Sequence, residues 1–363
     1  MTKIKHLKYT KYEIIVYSQM MNNLEIKQLK ELLSTSKKIA IVSHRNPDGD
    51  AYGSSLALYH YLLKLKHKVT VVSPNDCPSF LKWLPKQEDI IVFEDNTEKG
   101  KEVLEEAEIV FTLDFNALHR VGQQMQSVLE TLNTTFVMID HHEQPDDYAK
   151  YMYSDPSKAS TSEMIYHFLE MLGDLANLDK TIATCMYTGI VTDTGSFKYS
   201  ATTKATHMIA ASLIDLGIDH TKIHNSIFDT NSFNRLQLLG IALSNLKVLY
   251  DYKTAYITIS QQELNSHNFK KGDTEGFVNY GLSIKGIVFA VIFIEDQKQG
   301  IIKMSLRSKG SFSVNDFARN HFNGGGHLNA AGGRSEVSLT STVKQFLEII
   351  PNYKKDLENS YEV

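Results

Sequence analysis

The sequence predicts an α/β protein: a parallel sheet covered by helices, joined through a helical linker to a smaller mixed α+β domain. Three observations predict it. The runs Lys38 to Ser43, Glu108 to Leu113 and Thr135 to Ile139 are apolar and β-branched almost throughout, the composition of parallel strands buried on both faces. From residue 38 to about 215, strand-like and helix-like patterns alternate, which favours βαβ crossovers. After Gly217 the alternation stops, and a long helical stretch, Ile223 to Leu249, leads into a second set of strands and helices.

Taken in order, Leu24, Ile26, Leu29, Leu32 and Leu33 mark an amphipathic helix before the first strand. That strand, Ile39 to Ser43, precedes a helix beginning near Asp50, then the strand His67 to Ser73 and a loop carrying Pro74, Pro78 and Pro85. The strands ending at Asp114 and Asp140 follow, with helices over Ser162–Leu172, Lys180–Thr192 and Lys204–Leu216. In the second domain, Thr254 to Ser260, Ile284 to Ile294 and Gly300 to Leu306 read as strands. Helices lie near Gln261–Ser266, Val314–Phe322 and Thr340–Tyr353. The boundaries are an N-terminal extension over 1–22, a first domain over 23–217, a linker over 218–250 and a second domain over 251–363. No chemistry is expected from residues 1–19.

The 363 residues suffice for two domains with separate cores, and 42% hydrophobic with 22% charged content is ordinary for a globular chain. A net charge of −4 argues against coating a long duplex nucleic acid but leaves room for a small phosphorylated substrate. Cys77 and Cys185 stand far apart and suggest neither a disulfide framework nor a thiolate metal site, so a reducing cytoplasm is the expected location. No apolar run approaches the roughly 20 residues of a membrane span.

Chemistry concentrates where the strands end. Ser43-His44-Arg45-Asn46-Pro47-Asp48-Gly49-Asp50 leaves the first, Asp114 the next, and Asp140-His141-His142 the third. Ligands of an open α/β sheet bind beyond the carboxyl ends of its strands, so the three segments should meet in one crevice. Carboxylates and imidazoles crowded together repel or titrate unless cations hold them. A metal site follows, and the number of oxygen donors favours two ions. An Asp-Gly-Asp loop alone reads equally well as a turn plus helix cap. Three ionisable residues directly after a buried strand have no comparable packing explanation. Gly49 and Gly53 are expected to let the backbone approach a ligand closely. Ser160 with Glu163 fits a capping box, whose helix start would also offer N–H groups to phosphate. Asp193, between a helical run and a Gly-containing turn, has an ordinary reading as a turn residue.

The set His44-x3-Asp48-x-Asp50, Asp114, Asp140-His141-His142 and Asp193 resembles the DHH phosphoesterase superfamily. Ser305-Leu306-Arg307-Ser308 and Gly324-Gly325-Gly326-His327-Leu328-Asn329-Ala330-Ala331-Gly332 look like its associated DHHA1 domain. The resemblance implies a two-metal phosphoesterase. His44 and Asp48 would bind one ion, Asp50, His141 and Asp193 the second, and Asp114 would bridge both. His142 would face the substrate, binding phosphate or protonating the leaving oxygen, and Asp140 would fix a nearby imidazole. Mn²⁺ suits the mixed donors, with Mg²⁺ or Co²⁺ as substitutes. Arg307, Ser308, Gly325, Gly326 and His327 would hold the substrate, the glycines as a loop whose N–H groups cradle an anion.

Among such enzymes the chain looks most like the bifunctional oligoribonucleases that also dephosphorylate 3′-phosphoadenosine 5′-phosphate. Short RNA oligonucleotides and that bisphosphate are therefore the implied substrates, and a homodimer is a family-level expectation. A soluble cyclic di-AMP or pApA phosphodiesterase and an exopolyphosphatase-related enzyme are the alternatives. A catalytically inactive nucleotide-binding protein is the reading from a different class.

Overall fold

The structure, a computed structural model, describes residues 20–360; the extension expected over residues 1–19 lies outside them. Residues up to Thr230 form one compact unit and those from Asn231 a second.

The first unit opens with α1 (Asn23–Leu32), capped by Asn22 and buried through Leu29. Its sheet contains β1 (Lys38–Val42), β2 (Lys68–Ser73), β3 (Ile91–Val92), β4 (Ile109–Leu113), β5 (Thr135–Asp140) and β6 (Tyr151–Ser154). They are parallel throughout, in the order β3-β2-β1-β4-β5-β6. The helices are α2 (Gly49–Lys64), α3 (Thr97–Glu106), α4 (Gln123–Leu129), α5 (Thr161–Met171), α6 (Lys180–Asp193), α7 (Lys204–Asp215) and α8 (His220–Phe228).

Strand alternation explains the uniformly apolar runs. Ile39, Ile41, Phe111, Leu113, Val137 and Ile139 enter a core with Leu56, Phe168 and Ile190 of α2, α5 and α6. Ala40, Val42, Val110 and Phe136 enter the opposite one with Leu104 of α3 and Met125 and Leu129 of α4. Both faces are dry, as a parallel sheet requires. The strand order reverses at β1 and β4, the place where such sheets open a crevice at their carboxyl edge.

The second unit contains α9 (Phe233–Ser244), β7 (Lys247–Leu249), β8 (Thr254–Ile259), α10 (Gln261–Ser266), α11 (Val278–Leu282), β9 (Phe289–Asp296) and β10 (Ile301–Ser308). It continues with α12 (Val314–His321), β11 (Gly325–His327), β12 (Ala330–Ser335), α13 (Leu339–Ile349) and α14 (Lys354–Asn359). Its sheet runs β11-β12-β10-β9-β8-β7 and is mixed: β8 and β9 are parallel, the other neighbours antiparallel. Phe289, Val291 and Phe293 pack with Phe317 and Phe346 on one face, and Ala290 and Ile292 with Leu238 and Ala242 of α9 on the other.

Residues 223–249 differ from the continuous helical stretch expected of them. Asp229-Thr230-Asn231-Ser232 divides them, since short polar side chains compete for backbone hydrogen bonds. Ser232 caps α9, whose Leu238 and Ala242 belong to the second core, while Ile223 of α8 belongs to the first.

Candidate metal centre

Each predicted ligand is delivered by a chain end of the first sheet or by a helix packed on it. His44 follows β1 and is buried. Asp48 caps α2, its Oδ1 accepting the N–H groups of Asp50 and Ala51 at 3.0 and 3.1 Å, so it is cap and candidate ligand at once. Asp50 stands in the first turn of α2 and is 1% exposed. Asp114 follows β4 with φ +66°, a left-handed conformation rare outside glycine, which turns its carboxylate at the strand end. Asp193 ends α6.

These side chains converge. His44 Nε2 lies 3.4 Å from Asp114 Oδ2 and 3.9 Å from Asp48 Oδ1. His141 Nε2 lies 3.5 Å from both Asp114 Oδ1 and Asp193 Oδ2. Three groups each bring donor atoms within 4.8 Å of one another: His44, Asp48 and Asp114; Asp50, His141 and Asp193; and Asp114, His141 and His142. Asp114 and His141 each belong to two groups, so the three form one continuous cluster.

The imidazoles are oriented as ligands are. His44 Nδ1 lies 2.9 Å from the Arg45 carbonyl and His141 Nδ1 3.3 Å from the Lys158 carbonyl. A carbonyl only accepts, so Nδ1 carries the proton in each ring and Nε2 is aimed into the cluster. His142 Nδ1 lies 2.7 Å from Asp140 Oδ1, and its backbone N–H donates to Asp140 Oδ2 at 3.1 Å. Asp140 is fully buried, and both of its carboxylate oxygens are bonded to His142.

Charge crowding shows in the protonation balance. Burial opposes the charged form of His44, but its bond to Asp114 and the charges of Asp48 and Asp114 prevail and raise its pKa to about 9. Burial, helped by Asp48 and Asp114 against the opposing His141, lifts Asp193 to about 7. Burial and the charges of Asp114 and Asp193 push Asp50 well above the carboxylate range. Asp114 stays well below it, because His141 and His44 outweigh burial. Without metal, protons hold these carboxylates together; four carboxylates and two Nε2-directed imidazoles form a donor set that fits divalent cations in their place.

Several close contacts differ from expectation. Gly49 and Gly53 face α6 instead of a ligand: a Cβ on Gly49 would lie 2.4 Å from the Thr192 side chain, and one on Gly53 2.7 Å from the Cys185 carbonyl. Gly53 lets α2 and α6, which carry Asp50 and Asp193, touch backbone to backbone, and Gly49 leaves room for the Thr192 side chain. The capping box is incomplete. Ser160 accepts from the Glu163 N–H at 3.0 Å, but the Glu163 carboxylate accepts from Thr206 Oγ1 at 2.8 Å. Nor does the α5 start offer its N–H groups to phosphate, because Thr161 and Ser162 donate theirs to Asp50 at 2.6 and 2.9 Å. Asn75 is a residue that sequence reasoning missed; its side chain accepts from the N–H of Asn46, which sits at φ +56° in the His44–Asp50 loop.

Two family models match. Residues 38–190 match the N-terminal domain of the DHH family, and residues 247–356 the DHHA1 domain. The chain belongs to the DHH family. It is 31% identical over 315 residues to the bifunctional oligoribonuclease and PAP phosphatase NrnA of Thermus thermophilus, covering 86% of this chain and 89% of that protein. NrnA of Bacillus subtilis, with the same description, is 30% identical, with 84% and 91% covered. The crystal structure of an exopolyphosphatase-related protein from Bacteroides fragilis superposes with a TM-score of 0.90 at 38% identity, covering 96% of this chain and all of that one. As a DHH-family phosphoesterase the chain is a hydrolase.

In the DHHA1 domain the register pairs Arg307 with Ala330 and Ala330 with His327, so Arg307 and His327 rise from one face, two strands apart, about 10 Å. The glycine segment is not the expected loop. Gly325–His327 is strand β11, and Gly326 donates its N–H to Asn315 Oδ1 at 2.9 Å. A Cβ on Gly326 would meet the Ala330 carbonyl at 2.4 Å, so close strand approach accounts for it. Ser308 lies on the face opposite Arg307, its hydroxyl donating to the Phe312 carbonyl at 2.7 Å and accepting from Asn329 Nδ2 at 2.9 Å. Ser308 and Gly326 are thus engaged in bonds within the domain, while Arg307 and His327 share one face of the sheet. Cys77 and Cys185 are free and buried, and no helix among the described residues is long and apolar enough to cross a membrane.

Proposed function

We propose that this protein hydrolyses short oligoribonucleotides to nucleoside monophosphates and removes the 3′-phosphate of 3′-phosphoadenosine 5′-phosphate, using two divalent ions, Mn²⁺ by preference. The observation that carries this reading is the continuous cluster in which Asp114 and His141 each serve two ligand groups. The described activities of the Thermus and Bacillus relatives support the substrate class. His44, Asp48 and Asp114 would hold one ion, and Asp50, His141, Asp193 and Asp114 the other. Ions bound there would acidify a shared water and draw charge from the phosphoryl oxygens.

The chain's own groups do the remaining work. His142, pinned through Nδ1 to Asp140, presents Nε2 to bind phosphate or give a proton to the leaving oxygen. Asp114, fixed by its left-handed backbone, keeps the two ligand groups in register. Arg307 supplies a planar fork for phosphate and His327 a second polar contact on the same face, while Ser308, Gly325 and Gly326 hold the hairpin. The acidic overall balance suits a small substrate better than a long duplex.

The test is incubation with Mn²⁺ and a panel of pApA, a five-nucleotide RNA, 3′-phosphoadenosine 5′-phosphate, cyclic di-AMP and pyrophosphate, beside the Asp114→Ala variant. Turnover of the RNA and the bisphosphate, lost in the variant, is the expected result. Turnover of cyclic di-AMP or pyrophosphate alone would overturn the substrate assignment. No turnover by folded, metal-loaded protein would favour a nucleotide-binding role.

A further inference from the structure

Thr161 is the first residue of α5 and is fully buried. Its backbone N–H donates to Asp50 Oδ2 at 2.6 Å, and its hydroxyl donates to Asp114 Oδ1 at 3.0 Å. One residue thus grips two carboxylates that arrive on different elements, Asp50 from α2 and Asp114 from the end of β4. We propose that Thr161 is a positioning residue that fixes the separation of Asp50 and Asp114, and through them the spacing of the two ions; this rests on the two-ion reading above.

The hydroxyl matters most once metal is bound. The imidazoles nearest Asp114 approach it through Nε2, at 3.4 Å from His44 and 3.5 Å from His141. Each ring gives its Nδ1 proton to a backbone carbonyl. An imidazole that ligates through Nε2 has no proton there to give a carboxylate. His142 directs Nδ1 at Asp140, 2.7 Å away, and lies 3.9 Å from Asp114. The Thr161 hydroxyl gives the Asp114 carboxylate a hydrogen bond that needs no imidazole proton. The grip is also rigid. Asp50 Oδ1 accepts the next N–H of the helix, from Ser162 at 2.9 Å, so both Asp50 oxygens are set by the start of α5. That helix start is itself anchored by Ser160 at its cap and by Glu163 bonded to Thr206 of α7.

Thr161→Val keeps the shape, the methyl group and the N–H to Asp50, and removes only the hydroxyl; Thr161→Ser keeps the hydroxyl. The experiment is calorimetric titration of metal-free protein with Mn²⁺, with electron paramagnetic resonance to report whether two bound ions are magnetically coupled. Wild type and Thr161→Ser should bind a coupled pair. In Thr161→Val the weaker site should lose affinity about 10- to 100-fold and the coupling signature should fade. Melting of the metal-free variants controls for folding, and if the valine variant does not fold, Thr161→Cys, a much weaker donor, takes its place with the same expectation. A coupled pair bound at wild-type affinity by Thr161→Val overturns the proposal, as does an equal loss in Thr161→Ser. A wild-type protein that binds no pair of ions overturns the two-ion reading first, and the role of Thr161 with it.

Discussion

Asp140 accepts two hydrogen bonds from a single residue: its Oδ1 lies 2.7 Å from His142 Nδ1 and its Oδ2 takes the His142 backbone N–H at 3.1 Å. The carboxylate thus fixes both the ring and the chain of the imidazole assigned to the substrate. Asp140→Asn preserves the shape but offers one acceptor and an NH₂ where two donors converge, in a fully buried place. We expect kcat to fall about 10- to 100-fold with Mn²⁺ affinity nearly unchanged, as measured by turnover of pApA beside metal titration. An unchanged kcat would remove His142 from the reacting end of the site.

Metal removal should make stability sensitive to pH in a definite direction. The folded pKa of His44, raised to about 9 by Asp114 and Asp48 in spite of burial, exceeds its ordinary value of 6.5. The stabilisation from its proton is therefore complete below pH 6.5 and lost as pH rises through about 9. Asp193, with a folded pKa of about 7 against 3.8, loses stability in the same direction at lower pH. In EDTA the melting temperature should fall between pH 6.5 and 9, with His44 contributing at most roughly 3 kcal/mol. With Mn²⁺ the fall should largely vanish, because the cation replaces the proton. Differential scanning calorimetry across that range checks it; a flat or rising melting temperature in EDTA would contradict the protonation balance described.

The legible part of this molecule is what a parallel sheet imposes on its sequence. Strands buried on both faces must be apolar throughout, so the charged residues directly after β1, β4 and β5 stood out, and the sheet's geometry gathered them. The distribution of His44, Asp48, Asp50, His141 and Asp193 around Asp114 was accessible from family resemblance but not from spacing. Non-local contacts left no local signal. Thr161 reads as an ordinary helix start, and its hydroxyl acquires meaning only where α5 meets β4. Gly53 signals close approach but not what approaches, and its partner proved to be the backbone of α6. The hairpin β11–β12 was hidden because a glycine run has no strand periodicity, although its strands pair across a turn of only Leu328 and Asn329.

The α2–α6 contact makes a test of its own. A Cβ on Gly53 would meet the Cys185 carbonyl at 2.7 Å and the Gly189 nitrogen at 2.8 Å, both backbone atoms that no side-chain rotation can move. Gly53→Ala should separate the helices, costing about 1–3 kcal/mol as overpacking does. Because Asp50 and Asp193 ride on these helices, the same variant should bind Mn²⁺ more weakly. Denaturant titration and metal titration read the two effects; a stable variant with intact metal affinity would show that the helices adjust without moving the ligands.

Arg307 separates substrate binding from metal chemistry. It is the next-to-last residue of β10 in the second unit, two strands from His327 on the same face, and none of the candidate metal ligands belongs to that unit. Arg307→Ala should therefore raise KM for the bisphosphate and the short RNA about tenfold or more while leaving Mn²⁺ affinity at the wild-type value. Arg307→Lys should recover only part of the loss, because a lysine keeps the charge but not the two-pronged donor geometry. If the chain discriminates phosphate by charge alone, the lysine variant will instead match wild type. A fall in kcat at unchanged KM would place Arg307 in transition-state stabilisation, since a group that binds ground and transition states equally leaves kcat alone.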